Sequence, residues 1–450
     1  MITRIEAYRY RCFERLDIAL EQFHVFVGPN GAGKTTLLDI PIALGEMLSQ
    51  RSIQKAFFSS TPTHPRPRAD FAPDLIYKRA GNNFILAVEA KLPQSIIADL
   101  LEKKVRRLKP SAVQTLRDSP HRWLTRIRYE IEFELFNDAL QIAQEHLLLL
   151  TESASTGDRP SAGLIGEWIK GRERNIVQVI SRPRGGKVQF YPEAEIRGPR
   201  NDYGFPPGEP AFANVFADRN RYGASLWFRD LLSTEACAYQ PSLTALRNPQ
   251  PRIQQPAVVR DASTLPWLAW QLKQSADDAI NSEGSTSPKV RRAFENWERL
   301  ARLALQGLDH IEPFVRDDDR QAYLRIHYRN GAVVPSSALS DGTLIILALT
   351  ILPYLSTTPA LLTYEEPENG VHPRGIEILV EALRTIHGSQ VFVSSHSPLV
   401  LANCQPYEVI CLSLDENGAA VATPGDQHPA LVDWKESINL GTLLAAGVLG

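Results

Sequence analysis

Gly28-Pro29-Asn30-Gly31-Ala32-Gly33-Lys34-Thr35-Thr36 decides the reading of this chain. It fits Gly-x-x-x-x-Gly-Lys-[Ser/Thr], and its flanks are those the motif needs. Phe23-His24-Val25-Phe26-Val27 before it predicts a short buried strand, and Thr36-Leu37-Leu38-Asp39-Ile40 after it opens a helix. Without that context the stretch would be a glycine-rich turn joining strand to helix. With it, Gly28, Asn30, Gly31 and Gly33 let successive backbone N–H groups turn inward around phosphate oxygens, and the helix N-terminus adds the positive end of its dipole. Lys34 is expected to reach the β and γ phosphates, Thr35 to hold Mg²⁺ through its hydroxyl, and Thr36 to line the same cradle.

Upstream, residues 2–9 and 15–20 alternate well enough to be strands. The turn between them, Tyr10-Arg11-Cys12-Phe13, lies near the cradle if they pair. Arg11 or Phe13 then contacts a base, or else Phe13 is core and Arg11 is solvated. Downstream, the helix runs to about Gln50 and is followed by a proline-broken stretch around Pro62, Pro65 and Pro67. Strand-like segments at 74–78, 84–92 and 127–135 suit an antiparallel subsheet. Residues 97–125 read as helical and basic, with Lys103, Lys104, Arg106, Arg107, Lys109, Arg117 and Arg122, and Arg126 just beyond. Such a run is either a solvated face or, over 103–128, a contact for DNA phosphates.

Residues 152–174 predict a loop-rich insertion, 175–191 a hairpin turning at Arg184-Gly185-Gly186, and 198–210 a loop. Helical periodicity returns at 267–280 and 290–305, separated by Ser282 to Pro288, expected to be mobile. A strand at 322–328, a turn at Asn330-Gly331 and a further strand at 332–334 follow.

A chain of 450 residues buries a large core and divides into two or three domains. Its net charge of −2 confines any nucleic-acid contact to a local patch. Cys12, Cys237, Cys404 and Cys411 have neither metal-ligand nor disulfide-framework spacing. No apolar run approaches the roughly 18 residues of a membrane span, and the charged N-terminus does not resemble a signal peptide. The expected location is cytoplasmic, with no membrane association.

Three more stretches carry chemistry. Leu339-Ser340-Asp341-Gly342-Thr343 precedes an apolar helix with Ser340 as its N-cap. Leu361-Leu362-Thr363-Tyr364-Glu365-Glu366-Pro367-Glu368 ends a buried strand in acids. A second apolar strand, 390–394, ends in Ser395-His396-Ser397-Pro398. Acids and a lone histidine at strand ends can be structural, but open α/β sheets bind ligands at the C-terminal ends of their strands.

Together these motifs resemble the ABC-type ATPases, and among them the soluble AAA-like group that includes RecF, the SMC proteins and the ATPase half of the OLD-family nucleases. Gly28 to Thr36 is similar to the Walker A, Leu339 to Thr343 to the signature, Thr363 to Pro367 to the Walker B, Glu368 to Pro373 to the D-loop and Ser395 to Pro398 to the switch. Asp341 and Thr343 stand where transporters carry Gly and Gln, and Glu365 stands where Asp is usual. The resemblance covers 1 to about 60 and about 320 to 415.

It implies an α/β fold: an ABC-type ATPase domain, a mixed sheet with a P-loop core plus an antiparallel subsheet, with an inserted and largely helical lid. The expected division is 1–95 and 316–415 as the two ATPase halves, 96–315 as lid and 416–450 as tail. The resemblance also implies ATP and Mg²⁺, with Thr35 and Glu365 at the metal, Glu366 polarising water, His396 sensing the γ-phosphate, and Ser340 and Gly342 reaching the nucleotide of a second copy in a head-to-tail homodimer or higher oligomer. Partner expectations are an effector protein from a neighbouring gene, as in anti-phage systems, or DNA in a RecF-like repair role. A self-contained nuclease is disfavoured, because the stretch after the switch is shorter than the nuclease domain of the OLD family. The apolar tail 438–444 either packs on its own domain or docks a partner.

Overall fold

The computed structural model describes residues 1–61, 64–106, 108–156, 175–193, 202–281, 292–432 and 439–449. The expectations for Pro62, Arg107, 157–174, 198–201, Ser282 to Pro288 and Ile438 lie outside these residues. The chain divides into two compact units. The first holds Met1–Glu21, Asn30–Ala236 and Leu412–Thr423, and the second Gln22–Pro29, Cys237–Cys411 and Pro424–Gly450.

In chain order the first elements are β1 (Ile2–Tyr10), β2 (Phe13–Ala19), β3 (Phe23–Val27), α1 (Lys34–Gln50), β4 (Asn83–Lys91), α2 (Gln94–Val105) and α3 (Pro110–Arg117). Then come β5 (Leu124–Phe136), β6 (Ala139–Thr151), β7 (Ile176–Arg182), β8 (Val188–Phe190), β9 (Asp202–Tyr203), α4 (Arg219–Ser233) and β10 (Ala236–Ala238). The remainder includes α5 (Leu265–Asn281), α6 (Ala293–Ala304), β11 (Leu308–Val315), β12 (Ala322–Tyr328), β13 (Val333–Pro335), α7 (Asp341–Thr350), β14 (Leu361–Glu365), α8 (Pro373–Arg384), β15 (Gln390–Ser394) and β16 (Val409–Leu414).

The first unit is built on an eight-stranded sheet in the order β2-β1-β4-β5-β6-β7-β8-β9. Its aromatic side chains form a layer in which Phe84 and Phe133 stack at 4.7 Å, with Phe57 edge-on to both and Tyr10 tilted against Phe84 at 5.2 Å. Because strand side chains alternate, Arg128 and Glu130 of β5 share a face. There Arg128 is fully buried, donating to both oxygens of Glu6 at 2.8 Å and to Glu130 at 2.7 Å.

Two expectations change here. Residues 74–78 are not a strand but part of two 3-10 turns, Ala72–Leu75 and Tyr77–Arg79. Pro73 removes a donor and Lys78 takes a left-handed φ of 53°, so Ile76 makes one isolated bridge to Tyr10 instead of a ladder. The region 96–315 is also not a largely helical body, since β5 and β6, of 13 residues each, lie in the middle of the antiparallel sheet. The sequence alone does not mark β6, because its run Leu147 to Leu150 has no period that separates strand from helix.

The second unit carries a sheet in which β14, β15, β3 and β16 are successive parallel neighbours, with β10 beside β14. α7 is buried from Leu344 to Thr350, and its all-round apolar surface places it in the centre of the core. Two polar side chains taken in beside it are satisfied: Trp297 Nε1 donates to Thr350 Oγ1 at 3.1 Å and Tyr239 OH to the Ala348 carbonyl at 2.9 Å. β12 and β13 form the expected hairpin around Asn330-Gly331, and β11, which was not expected, pairs with β12 to make it a meander. The tail helix Leu440–Ala445 packs on its own unit, with Leu440 buried in this core. Among the described residues no helix is long and apolar enough to cross a membrane.

Candidate functional site

The parallel register of the second unit sets Glu365 beside Ser394, and Ser394 beside Phe26. Strands β14, β15 and β3 therefore end together, and their continuations are Glu366, Ser395-His396 and Gly28-Pro29. β14 is buried along its length until Glu365, which is exposed. Glu366 has φ 52°, a left-handed conformation that is costly for a carboxylate residue and more so before Pro367. Its N–H donates to the Ser394 carbonyl at 2.8 Å, and its Oε2 accepts from Asn369 Nδ2 at 2.6 Å. Its Oε1 lies 3.6 Å from His396 Nε2. Strain held in place by such contacts is a feature of working sites.

Glu368 received no role of its own from the sequence. Its Oε1 accepts from Ser395 Oγ at 2.6 Å and from the His396 N–H at 3.1 Å, tying the acidic loop to the histidine. Its Oε2 is buried without a hydrogen-bond partner. The signal was the Glu366-Pro367-Glu368 spacing, in which the proline turns the second acid toward the neighbouring strand end.

Ser340 caps α7 as expected, its Oγ accepting from the Thr343 N–H at 3.3 Å. Asp341 is held by an ion pair with Arg247. Gly342 has a packing reason: a Cβ there would run into the Gly370 carbonyl oxygen, so the first turn of α7 lies directly on the loop that follows Glu366. A hollow of about 540 Å³ opens beside this turn, lined by Ser340, Gly342, Thr343, Tyr328, His372 and Arg374.

In the first unit, Asn30 to Thr36 lead into α1. Gly31 and Gly33 have φ of +83° and +94°, the region a phosphate-cradling loop needs and that side chains disfavour. A Cβ at Gly33 would meet Cys12 Sγ and Phe13 Cζ at 2.7 Å, so the Tyr10–Phe13 turn does back this loop. Phe13 is fully buried, which decides for core over base contact. Arg11 donates to the Arg68 carbonyl rather than standing free in solvent. Arg68, unmarked in the sequence, grips α1 by donating to Asp39 at 2.7 and 2.8 Å and pairing with Glu46. Lys34 is buried and Thr35 exposed at the start of the helix. Burial raises the Cys12 thiol, against a lowering hydrogen bond with Thr36.

Thr35 and Glu365 offer hydroxyl and carboxylate oxygens, the donor class Mg²⁺ takes. Among the described residues no group of three or more His, Cys, Asp or Glu side chains is arranged to hold a metal by itself. The basic stretch 103–128 is not one continuous face. Lys103 pairs with Asp99, Arg106 with Glu102 at 2.8 Å and Arg126 with Glu152 at 2.5 Å, while Arg128 is inside the sheet.

Residues 260–402, which contain Ser340, Glu365, Glu366 and His396, match the family described as "AAA domain, putative AbiEii toxin, Type IV TA system". This stretch resembles an AAA ATPase domain. A further likeness, 44% identical over 48 residues, is to an OLD nuclease of Thermus scotoductus; it spans 10% of this chain and 9% of that protein. Among solved structures, an Smc head bound to the C-terminal winged-helix domain of ScpA matches with a TM-score of 0.48 at 10% identity, over 94% of this chain and 96% of that one. The SMC head domain from Thermotoga maritima matches with a TM-score of 0.38 at 12% identity, over 94% of this chain and 98% of that one.

Proposed function

We propose that the chain is an ATPase that works as a dimer and controls a partner protein. The observation that carries this reading is the shared ending of β14, β15 and β3, which sets Glu365, the strained Glu366 and His396 beside the start of the Gly28–Thr36 loop. Lys34 neutralises charge on the β and γ phosphates. Glu366 orients the attacking water, with His396 beside it fixing the carboxylate and contacting the γ-phosphate. Glu368 holds that histidine's backbone in place. Mg²⁺, held by Thr35 and Glu365, would supply charge neutralisation across the phosphates. In-line phosphoryl transfer asks little more of a protein than this positioning and charge stabilisation. Ser340 and Gly342 face the nucleotide of a second copy, and DNA contact through 103–128 is not part of this reading. The matched family's description names a putative toxin of a type IV TA system, which suits a defence role; the controlled effector would then be the product of a neighbouring gene.

Glu366→Gln is expected to retain ATP binding while hydrolysis falls by a factor of about 10² to 10⁴, the usual contribution of a positioned acid–base group. Turnover at the wild-type rate would remove Glu366 from the reaction. Mixing inactive Lys34→Ala with inactive Ser340→Arg is expected to restore part of the activity, because one composite site in a mixed dimer carries neither lesion. No recovery in mixed dimers verified by differential tagging would refute the shared site.

A further inference from the structure

The cations on and after α2 and α3 fall into two kinds. Lys103, Arg106 and Arg126 are neutralised by Asp99, Glu102 and Glu152. Lys104, Lys109, Arg117 and Arg122 have no acidic partner among the described residues, and of these Lys104 and Arg122 line one hollow of about 320 Å³. Ser111 and Thr115 bring hydroxyls to the same hollow, and Leu108 and Leu116 form its apolar wall. No residue of the Gly28–Thr36 loop lines it. Arg122 is held in a 3-10 turn, Pro120–Arg122, closed by the Trp123 N–H on the Pro120 carbonyl at 3.0 Å. Trp123 Nε1 in turn donates to the Leu116 carbonyl of α3 at 2.9 Å, which ties that turn to the hollow's wall.

Two like charges facing one concavity repel unless an anion lies between them. Burial lowers the Lys104 ammonium below its ordinary value, and the charge of Arg122 lowers it further. The volume is at the lower end of small-molecule clefts, roughly 300–1,000 Å³, and leaves room for an organic body beside an oxyanion. We propose that this hollow binds a phosphate group carried on a body of up to mononucleotide size, with Lys104 and Arg122 on its oxygens, Ser111 and Thr115 donating hydroxyl hydrogen bonds, and Leu108 and Leu116 against the body. The phosphate comes either from a free mononucleotide or from the backbone of a nucleic-acid strand.

The test uses the full chain carrying Lys34→Ala, so that the phosphate loop does not contribute. Inorganic phosphate, AMP and a short labelled single-stranded oligonucleotide are titrated against it, against the same chain with Lys104→Gln and Arg122→Gln, and against a control with Lys109→Gln and Arg117→Gln. Because charge-assisted contacts to phosphate are strong, the hollow variant should lose about tenfold or more in affinity and the control less than about threefold. Binding of AMP identifies a free ligand. Binding of the oligonucleotide alone, with a salt slope lowered by about 1.4 in the hollow variant, identifies a strand. Lys104→Arg in place of Lys104→Gln should restore much of the loss. The proposal is overturned if no probe binds the parent chain, if the hollow variant binds every probe as the parent does, or if the control loses as much.

Discussion

In the antiparallel sheet of the first unit, ionisable side chains run through the interior, with Arg128 of β5 between Glu6 of β1 and Glu130 of its own strand. In the parallel sheet of the second unit, β14, β15 and β3 carry no carboxylate until β14 ends at Glu365. The two arrangements leave their charges with different capacities. A buried carboxylate whose oxygens are taken by a guanidinium has nothing left for a ligand, and removing its partner leaves an uncompensated charge. Glu365, at the exposed end of β14, is open to solvent, where a ligand can reach it. Burial of acids is therefore a sign of architecture in the first unit, and exposure of acids a sign of chemistry in the second.

The largest expected effect tests the first half of that contrast. Arg128→Ala should cost about 3–5 kcal/mol in urea unfolding, because Glu6 and Glu130 remain buried after losing the guanidinium that both accept from. A loss under about 1 kcal/mol would mean that the network carries no stability and that the contrast is one of composition only.

The second prediction concerns the one histidine inside the parallel sheet. His24 of β3 is 4% exposed, and burial lowers its pKa from 6.5 to about 4, against a raising contact of its Nδ1 with the Glu408 carbonyl at 3.3 Å. The unfolded chain takes up this proton near pH 6.5 and the folded chain only near pH 4. The contribution is therefore fully present above pH 6.5, is lost as the pH falls through that window, and amounts to about 3 kcal/mol. His24→Gln should flatten this part of the stability–pH profile, whatever it does to the plateau. An unchanged acid slope would place the titration elsewhere.

Smaller effects are expected where α7 begins. Gly342→Ala should destabilise by about 1–3 kcal/mol, since its methyl group meets backbone at Gly370 rather than a movable side chain. Ser340→Ala removes the cap on the Thr343 N–H and the hydroxyl contact with Thr343 Oγ1 at 2.8 Å, and should cost about 1 kcal/mol, read as a small fall in urea midpoint. If Ser340→Ala cost more than Gly342→Ala, the cap and not the close approach would be what holds this turn.

Much of the site was legible because its signals are local. The strand–loop–helix over Phe23 to Gln50, the cap at Ser340 and the strands ending at Glu365 and Ser394 each depend on neighbours a few residues away, where period, capping chemistry and glycine placement act. The strand expected over residues 74–78 fails for the same reason in reverse. Their apolar run was real, but Pro73 and the left-handed Lys78 turned it into a pair of tight turns.

What the sequence by itself determined about this protein is its order of motifs and the residue types at each: a phosphate loop, a capped helix start, paired acids and a histidine at strand ends. Tertiary structure alone decided which charges are spoken for. Arg128 lies inside the sheet and Arg122 outside it, although both sit in the same basic run. Glu368 reaches Ser395 and His396, and Arg68 reaches Asp39 and Glu46. Each of these depends on a partner distant along the chain, and whether a charge is stored in a pair or left for a ligand follows from that partner rather than from the charged residue's own neighbours.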